Sequence, residues 1–357
     1  MKIILVGGFL GSGKTTAIQQ AGEALLKAGK TVGVVTNDQG SQLVDTTFMI
    51  ANGLPTNEVT NGCFCCQFEE LDNRIQSILL HNNPDVLFAE SVGSCTDLIA
   101  TVVKPMQKLH PELDVTVCIF ADALVFPQMI RGSELFVNGV QYIYRKQMEE
   151  ADLLVLSKTD LLTAEQLNEV LYLIQTRYPD KKVLFQNSLD PEQIRRWLQT
   201  INGLPGVART SLLIDYDLYA AGEADLAWFD GEVIITSENR NAVKEAQQLI
   251  EVIHEEITSR KLSIGHLKFL LDHEDGQEKI SIVSNTDPCF NFSNKGPDRA
   301  KARLLINARV QTTAKILQQI MTEAFDNIQL QQKCTVTKGN LAAFQPGYPR
   351  PTYRIAN

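Results

Sequence analysis

Short apolar runs alternate with amphipathic stretches over the first half of this chain. Lys2–Val6, Thr31–Thr36, Asp85–Glu90, Val115–Phe120, Asp152–Ser157 and Lys182–Gln186 are too short for helices and several are nearly continuous in apolar residues. Such runs predict strands buried on both faces, as in a parallel sheet. Between them the apolar period becomes helical. Ile18, Ala21 and Leu25 share a stripe that ends at Gly29, and Leu167, Val170, Leu171 and Ile174 share another over Ala164–Tyr178. Strand and helix in alternation predict an α/β fold with helices on both faces of the sheet.

The pattern changes at Gly203-Leu204-Pro205-Gly206, a turn-rich stretch expected to be a domain boundary. Beyond it the expected order is a strand over Trp228–Thr236, a helix over Ala242–Thr258, strands over Ser263–Leu271, Lys279–Ser284 and Arg303–Val310, and a helix over Thr312–Phe325. That order predicts a smaller α+β domain with its helices on one face. The domains expected are therefore 1–205 and 210–330, followed by a tail over 331–357. Pro346, Pro349 and Pro351 predict that the tail is loosely held.

A length of 357 residues suits two domains, and 44% hydrophobic with 21% charged residues is the balance of a globular protein. The formal net charge of -9 argues against a nucleic-acid partner. No stretch approaches the ~20 apolar residues of a membrane span. The apolar opening stops at Gly7 and Gly8, too early for a signal peptide, and is expected to be a strand. Seven cysteines include the cluster Cys63-Phe64-Cys65-Cys66. Adjacent cysteines seldom bridge each other, so the thiols are read as reduced, the location as cytoplasmic, and the cluster as metal-binding or redox-active.

Gly8-Phe9-Leu10-Gly11-Ser12-Gly13-Lys14-Thr15 fits G-x-x-x-x-G-K-[ST] between an apolar strand and an amphipathic helix. Glycines at these positions let backbone N–H groups turn toward phosphate oxygens, and the following helix points its positive end at them. Lys14 is expected to reach the β- and γ-phosphates and Thr15 to ligate Mg²⁺. Gly8, Gly11, Ser12, Gly13, Lys14, Thr15 and Thr16 are the candidate phosphate-side residues. The base is addressed by Ser157-Lys158-Thr159-Asp160 at the end of a predicted strand, which resembles the N-K-x-D motif of GTPases with serine for asparagine. Asp160 can accept from guanine N1–H and its 2-amino group, and the Lys158 stem can lie against the base. The shorter Ser157 leaves the bracing role of the asparagine open. Gln186-Asn187-Ser188 is a weaker base-side candidate.

A carboxylate is needed on the magnesium and switch side. Glu90 ends an apolar strand with Gly93 three residues later, so Glu90 could hold a magnesium-bound or attacking water and the Gly93 N–H could meet the γ-phosphate. Asp38 and Asp45 follow the second strand, and both are candidates for the same ion. The magnesium set carried forward is Thr15, Asp45 and Glu90; the catalytic set is Lys14, Glu90 and Gly93.

Thiolates are soft ligands, and three within four residues suit Zn²⁺ or Cu⁺ better than Mg²⁺ or Ca²⁺. Three ligands leave one coordination position open, as suits a site that passes metal on. Cys95, Cys118 and Cys334 read instead as buried packing residues. No histidine pair has metal-ligand spacing, and His266 and His273 read as structural or solvated.

Gly-Phe-Leu-Gly-Ser-Gly-Lys-Thr-Thr (8–16), Gly-Cys-Phe-Cys-Cys (62–66), Glu-Ser-Val-Gly (90–93) and Ser-Lys-Thr-Asp-Leu (157–161) occur in the order of CobW-type proteins. Over about residues 1–200 the chain resembles the CobW/HypB/UreG class of metallochaperone GTPases. The resemblance implies a P-loop NTPase sheet that binds GTP with Mg²⁺ and hydrolyses it slowly. It implies zinc, cobalt or a related ion at Cys63, Cys65 and Cys66, delivered to a metal-dependent client protein. It also allows a dimer that depends on nucleotide. The chain departs from the class at Ser157, in the partial acidic element Asn37-Asp38-Gln39-Gly40-Ser41, and in lacking a histidine-rich run.

The expected mechanism has GTP–Mg²⁺ order the loops ending in Asp45 and Gly93, so that metal and nucleotide affinities are linked through Cys63–Cys66. Three alternatives stand beside it. One is a GTPase chaperone of a corrinoid or other metallocofactor enzyme with no metal transfer of its own. Another is a P-loop small-molecule kinase, for which Arg131 and Arg145 are too isolated to make a lid. The third is a redox-sensing ATP-binding module.

Overall fold

The computed structural model describes residues 2–40, 44–132, 135–204, 209–283, 292 and 298–356. Ser41 of the acidic element, Pro205 and Gly206 of the expected boundary, and Ser284 of an expected strand lie outside the described residues. The chain runs β1 (Lys2–Gly8), α1 (Lys14–Lys27), β2 (Val32–Asn37), α2 (Val44–Ala51), β3 (Thr56–Val59), α3 (Phe68–Asn82) and β4 (Val86–Glu90). It continues through α4 (Lys104–Leu109), β5 (Asp114–Asp122), α5 (Phe126–Arg131), α6 (Asn138–Glu150), β6 (Leu153–Ser157), α7 (Ala164–Arg177), β7 (Lys182–Gln186), α8 (Pro191–Asn202) and α9 (Tyr216–Ala224). Then follow β8 (Leu226–Ser237), α10 (Ala242–Ser259), β9 (Ile264–His273), β10 (Gly276–Ile282), β11 (Lys301–Gln311), α11 (Ala314–Gln332) and β12 (Cys334–Phe344). Among the described residues, no helix is long and apolar enough to cross a membrane.

The chain divides into two compact units, one of Met1–Gln39, Met49–Gly222 and Tyr348–Asn357, the other of Gly40–Phe48 and Glu223–Gly347. The first unit is built on a parallel sheet in the order β3-β2-β4-β1-β5-β6-β7. Its apolar strands are buried on both sides, as their near-continuous hydrophobicity requires. On one face Ile4, Val6, Phe88, Phe120 and Val155 pack with Ile18 and Ala21 of α1 and Trp197 of α8. The Trp197 ring stands edge-on to Phe120 at 5.2 Å. Strand β3 is not among the strands expected from sequence. Three of its four residues are polar, and only Val59 is buried.

The second unit is a five-stranded antiparallel sheet, β10-β9-β11-β8-β12. One face carries Phe229, Val233, Ile235, Phe269, Leu271, Leu304 and Ile306 against α10 and α11, so the helices share a side as expected. Alternate residues point to the other face, which is covered by Gly40 and the start of α2. Val44 packs there on Leu270 and Leu305, and its N–H donates to Asn307 Oδ1 at 2.9 Å. Arg309 is fully buried on that face, paired with Asp230 at 2.8 Å and stacked 3.9 Å from the Trp228 ring centroid.

Two sequence expectations are corrected by this layout. The stretch 331–357 is not a free tail, because β12 pairs with β8 along Cys334–Phe344 and Tyr348–Asn357 belongs to the first unit. Asp45 belongs to the second unit, where Lys268 Nζ lies 2.5 Å from Oδ2 and Lys279 Nζ 2.7 Å from Oδ1. Burial disfavours its charge, but the two lysines more than offset that and hold the carboxyl far below the usual range. Two ammonium groups already neutralise this carboxylate, which competes with any role as a Mg²⁺ ligand.

Candidate functional site

In the first unit the candidate side chains collect at the carboxyl ends of parallel strands, where α/β sheets place their ligands. β1 ends in Gly8, which has φ 123° and no room for a Cβ: one built there would sit 2.0 Å from the Phe120 carbonyl oxygen. The chain then makes the phosphate loop and enters α1 through Gly13, at φ 84°. Lys14 is buried and donates to the carbonyl oxygens of Gly8 at 2.7 Å and Phe9 at 3.0 Å, folded over the loop it follows. The Ser12 hydroxyl is buried with no hydrogen-bond partner, an orphan polar group in the loop where phosphate oxygens would be received.

The structure joins Thr15 and Glu90 directly. The Thr15 hydroxyl donates to Glu90 Oε1 at 2.8 Å, and both residues are buried. β4 runs beside β1 with Glu90 opposite Val6, which brings the carboxylate to the start of α1. Gly93 follows closely: a Cβ there would lie 2.6 Å from Leu10 Cδ2 and 3.0 Å from Leu10 N, so only glycine lets this loop lie against the phosphate loop.

On the base side, Ser157 does not reach solvent. Its hydroxyl donates to the Ser12 carbonyl at 2.7 Å and lies 3.2 Å from the Ala121 carbonyl, so a serine can brace the phosphate loop after all. Lys158 takes a left-handed conformation and pairs through Nζ with Asp122 Oδ2 at 2.6 Å. Asp122, at the end of β5, is a site residue the sequence reading did not single out. Asp160 lies exposed in the turn Thr159–Leu161, and Thr16 lies half-buried in the first turn of α1. The Gln186 side chain donates to Ser188 Oγ at 3.1 Å at the end of β7.

Asn37 organises the cysteine loop. At the end of β2 its side-chain amide donates to the carbonyls of Val59 at 3.0 Å and Gly62 at 2.7 Å, while its oxygen accepts from the Phe64 N–H at 2.8 Å. The chain then coils, with the N–H groups of Cys66 and Gln67 donating to the Cys63 carbonyl, and leads into α3. This tight turn lets near-adjacent thiols face one point. The sulfurs of Cys63, Cys65 and Cys66 lie within 4.8 Å of one another, at 2.8 Å for Cys63–Cys65 and 3.7 Å for Cys65–Cys66. Thiolates around tetrahedral Zn²⁺ stand roughly 3.8 Å apart, so Cys65 and Cys66 already lie at that spacing while Cys63 and Cys65 would open by about 1 Å to take the ion. Hydrogen bonding from Cys63, together with burial, pushes the Cys66 thiol up to about 11, and the Cys65 thiol is likewise raised by its thiol neighbours and burial. A metal ion must therefore displace protons to bind.

The segment 348–357 covers this loop. The Arg350 N–H donates to Cys66 Sγ at 3.2 Å, the Thr352 N–H to the Cys65 carbonyl at 2.9 Å, and the Thr352 hydroxyl to the Cys66 carbonyl at 3.0 Å. Arg354 pairs with the buried Asp97 at 2.7 Å, and the Tyr353 ring stands edge-on to Phe68 at 5.3 Å. Pro346, Pro349 and Pro351 predict a loosely held tail, whereas the segment is docked on the cysteine loop.

Comparison with known proteins agrees with the geometry. Residues 2–185, just over half of the chain, match the family model "CobW/HypB/UreG, nucleotide-binding domain". The zinc chaperone YeiR of Escherichia coli is 27% identical over 164 residues, which are 45% of this chain and 47% of that protein. The zinc chaperone CobW of a Sinorhizobium species is 27% identical over 206 residues, 51% of this chain and 57% of that protein. The chain thus spans about half the length of these relatives. HypB from Helicobacter pylori, solved in complex with nickel, is 16% identical and covers 58% of this chain and 90% of its own, with a TM-score of 0.42. With the phosphate loop, the Thr15–Glu90 pair and the cysteine loop in one unit, the match over residues 2–185 leads to one conclusion: the chain belongs to the CobW/HypB/UreG family.

Proposed function

We propose that this protein is a GTP-hydrolysing metallochaperone that couples its nucleotide state to the transfer of zinc or cobalt to a client protein. The observation that carries the reading is the convergence of three thiols on one point, in the same unit as a phosphate loop. The names of relatives, two zinc chaperones and a zinc-regulated GTPase metalloprotein activator, point the same way.

Gly8, Gly11, Ser12, Gly13, Lys14, Thr15 and Thr16 would hold the phosphates, with Lys14 leaving the carbonyls of Gly8 and Phe9 for the β- and γ-phosphates. Thr15 and Glu90 would hold Mg²⁺, which neutralises phosphate charge. Asp38, at the end of β2 in the first unit, is the acidic candidate that remains beside them. Glu90 and the Gly93 N–H would serve the attacking water and the γ-phosphate, with slow turnover. Asp160 would select guanine, and Lys158, held by Asp122, would lie along the base. Cys63, Cys65 and Cys66 would carry the metal as cargo. The setting proposed is the cytoplasm, with a metal-dependent client as partner and a dimer formed with nucleotide.

The test is a Co²⁺ and Zn²⁺ titration of the purified protein with and without Mg²⁺–GTP, following thiolate-to-cobalt charge transfer, with phosphate release measured in parallel. One equivalent should bind and depend on Cys65 and Cys66, with an affinity that changes with nucleotide. Unchanged zinc binding in a Cys65→Ser, Cys66→Ser variant would overturn the site, and unchanged affinity with GTP would overturn the coupling.

A further inference from the structure

Arg131 and Arg145 are isolated in the sequence and take no part in the phosphate site. The structure brings both to one cavity of about 680 Å³, together with Arg177 and Lys181. The cavity lies in the first unit and is walled by α5, α6 and the turn that leads from α7 into β7. It shares no residue with the phosphate loop, the Ser157–Asp160 turn or the cysteine loop. The turn wall precedes β7, whereas Ser157 closes the neighbouring parallel strand β6 at its carboxyl end. That wall therefore stands at the opposite end of the sheet from the nucleotide residues.

Four cations around one cavity run against a chain whose net charge is -9. Two carboxylates share the lining, Glu149 and Asp180, but Glu149 is already paired with Lys146 at 2.7 Å. Arg131 is paired with Glu169 at 2.8 Å. Arg145 and Arg177 have no ion pair among the described residues, and Arg145 donates to the neutral side chain of Gln141 at 3.4 Å. Lys181 is half-buried and caps the end of α6, donating to the carbonyls of Glu149 and of Ala151, the latter at 2.9 Å. Its ammonium is thereby fixed on the cavity wall. The Tyr178 ring packs 6.2 Å from that of Phe126, and burial pushes its phenol up, so the hydroxyl keeps its proton and can donate. Cations gathered without carboxylate partners repel one another, and an anion between them relieves that repulsion.

We infer that this cavity is a second anion site, separate from the nucleotide, that takes a small phosphate-bearing ligand with two or more negative charges. Guanidinium forks such as those of Arg145 and Arg177 match phosphate oxygens two at a time, while Lys181 adds a fixed point charge and Tyr178 a neutral donor. The volume is that of a pocket for a small molecule. A bounded cavity with Asp180 on its wall suits a compact anion better than an extended acidic peptide. The inference stands apart from the metal reading, since no thiol enters it.

Inorganic pyrophosphate is the probe, titrated by calorimetry into the full chain already holding one equivalent of GDP, which fills the phosphate loop. One equivalent of pyrophosphate should bind without releasing GDP, and more weakly as salt is raised. Arg145 and Arg177 are exposed, so replacing them leaves the core intact. The double variant Arg145→Gln, Arg177→Gln should weaken pyrophosphate at least about tenfold while GDP affinity and thermal unfolding stay as in wild type. Pyrophosphate binding that survives the double variant would overturn the site. Release of GDP by pyrophosphate would place the probe on the phosphate loop and overturn it as well. No binding at millimolar pyrophosphate, or binding of a polyglutamate peptide in its place, would overturn the ligand class.

Discussion

The Ser157 hydroxyl donates to the Ser12 carbonyl at 2.7 Å, joining the end of β6 to the phosphate loop. The bond closes a strut between the base side and the phosphate side of the site. A single neutral hydrogen bond of this kind contributes about 1 kcal/mol. Ser157→Ala should therefore weaken GTP and GDP binding about fivefold each, read by titration with a fluorescent analogue. An unchanged affinity would mean that the strut does not shape the loop for phosphate.

Asp160 tests the choice of base. A carboxylate that accepts from guanine N1–H and the 2-amino group makes charge-assisted bonds of roughly 1.5–3 kcal/mol. Asp160→Ala should cost GTP between about tenfold and a hundredfold in affinity while leaving ATP binding as weak as before. An equal loss for both nucleotides would place the effect in the fold rather than in base selection.

Glu150, at the end of α6, carries a buried carboxyl that burial pushes up to about 7 from an ordinary 4.5. Its Oε1 accepts from the Ile99 N–H at 2.9 Å and its Oε2 from the Thr96 hydroxyl at 3.2 Å. Between pH 4.5 and 7 the folded chain holds a proton that the unfolded chain releases. The stability this confers is complete below the lower value and is lost as pH rises through the upper one, by at most about 3 kcal/mol. Glu150→Gln stays neutral, and its amide can still accept from Ile99 and donate to the Thr96 oxygen. Calorimetry should find the variant more stable than wild type at pH 8 and near equal at pH 5. The same difference at both pH values would remove the carboxyl's charge from the explanation.

Asp45 separates a structural role from a magnesium role. Its removal in Asp45→Ala would leave Lys268 and Lys279 facing each other largely buried, a loss on the order of 3 kcal/mol or more. Thermal unfolding should shift downward by several degrees, while the Mg²⁺ concentration needed for tight GTP binding should not change. A raised Mg²⁺ requirement would restore Asp45 to the nucleotide site.

Much of the first unit was legible because its physics is local. Runs such as Leu153–Ser157 are apolar along their length only if both faces are covered, and the phosphate loop needs its glycines at fixed places whatever surrounds it. The convergence of Cys63, Cys65 and Cys66 followed from adjacency. The rest depended on partners distant in sequence. β12 alternates weakly, is interrupted by a register shift between Lys338 and Leu341, and takes its form from β8. Asp45 looked like a magnesium ligand because it follows β2, and only the fold supplies the two lysines that claim it. Asp122 gave no signal, since it sits at the end of an apolar strand.

The segment Tyr348–Asn357 belongs to the unit that begins at the other end of the chain. During synthesis it emerges from the ribosome later than every strand of both sheets. The nascent cysteine loop therefore waits without the Arg350 amide over Cys66 or the Thr352 bonds across Cys65 and Cys66. A gene shortened after residue 222 would encode the whole parallel sheet in this permanently uncovered condition. Thiol reactivity measured on such a fragment would belong to an assembly stage, not to the finished molecule.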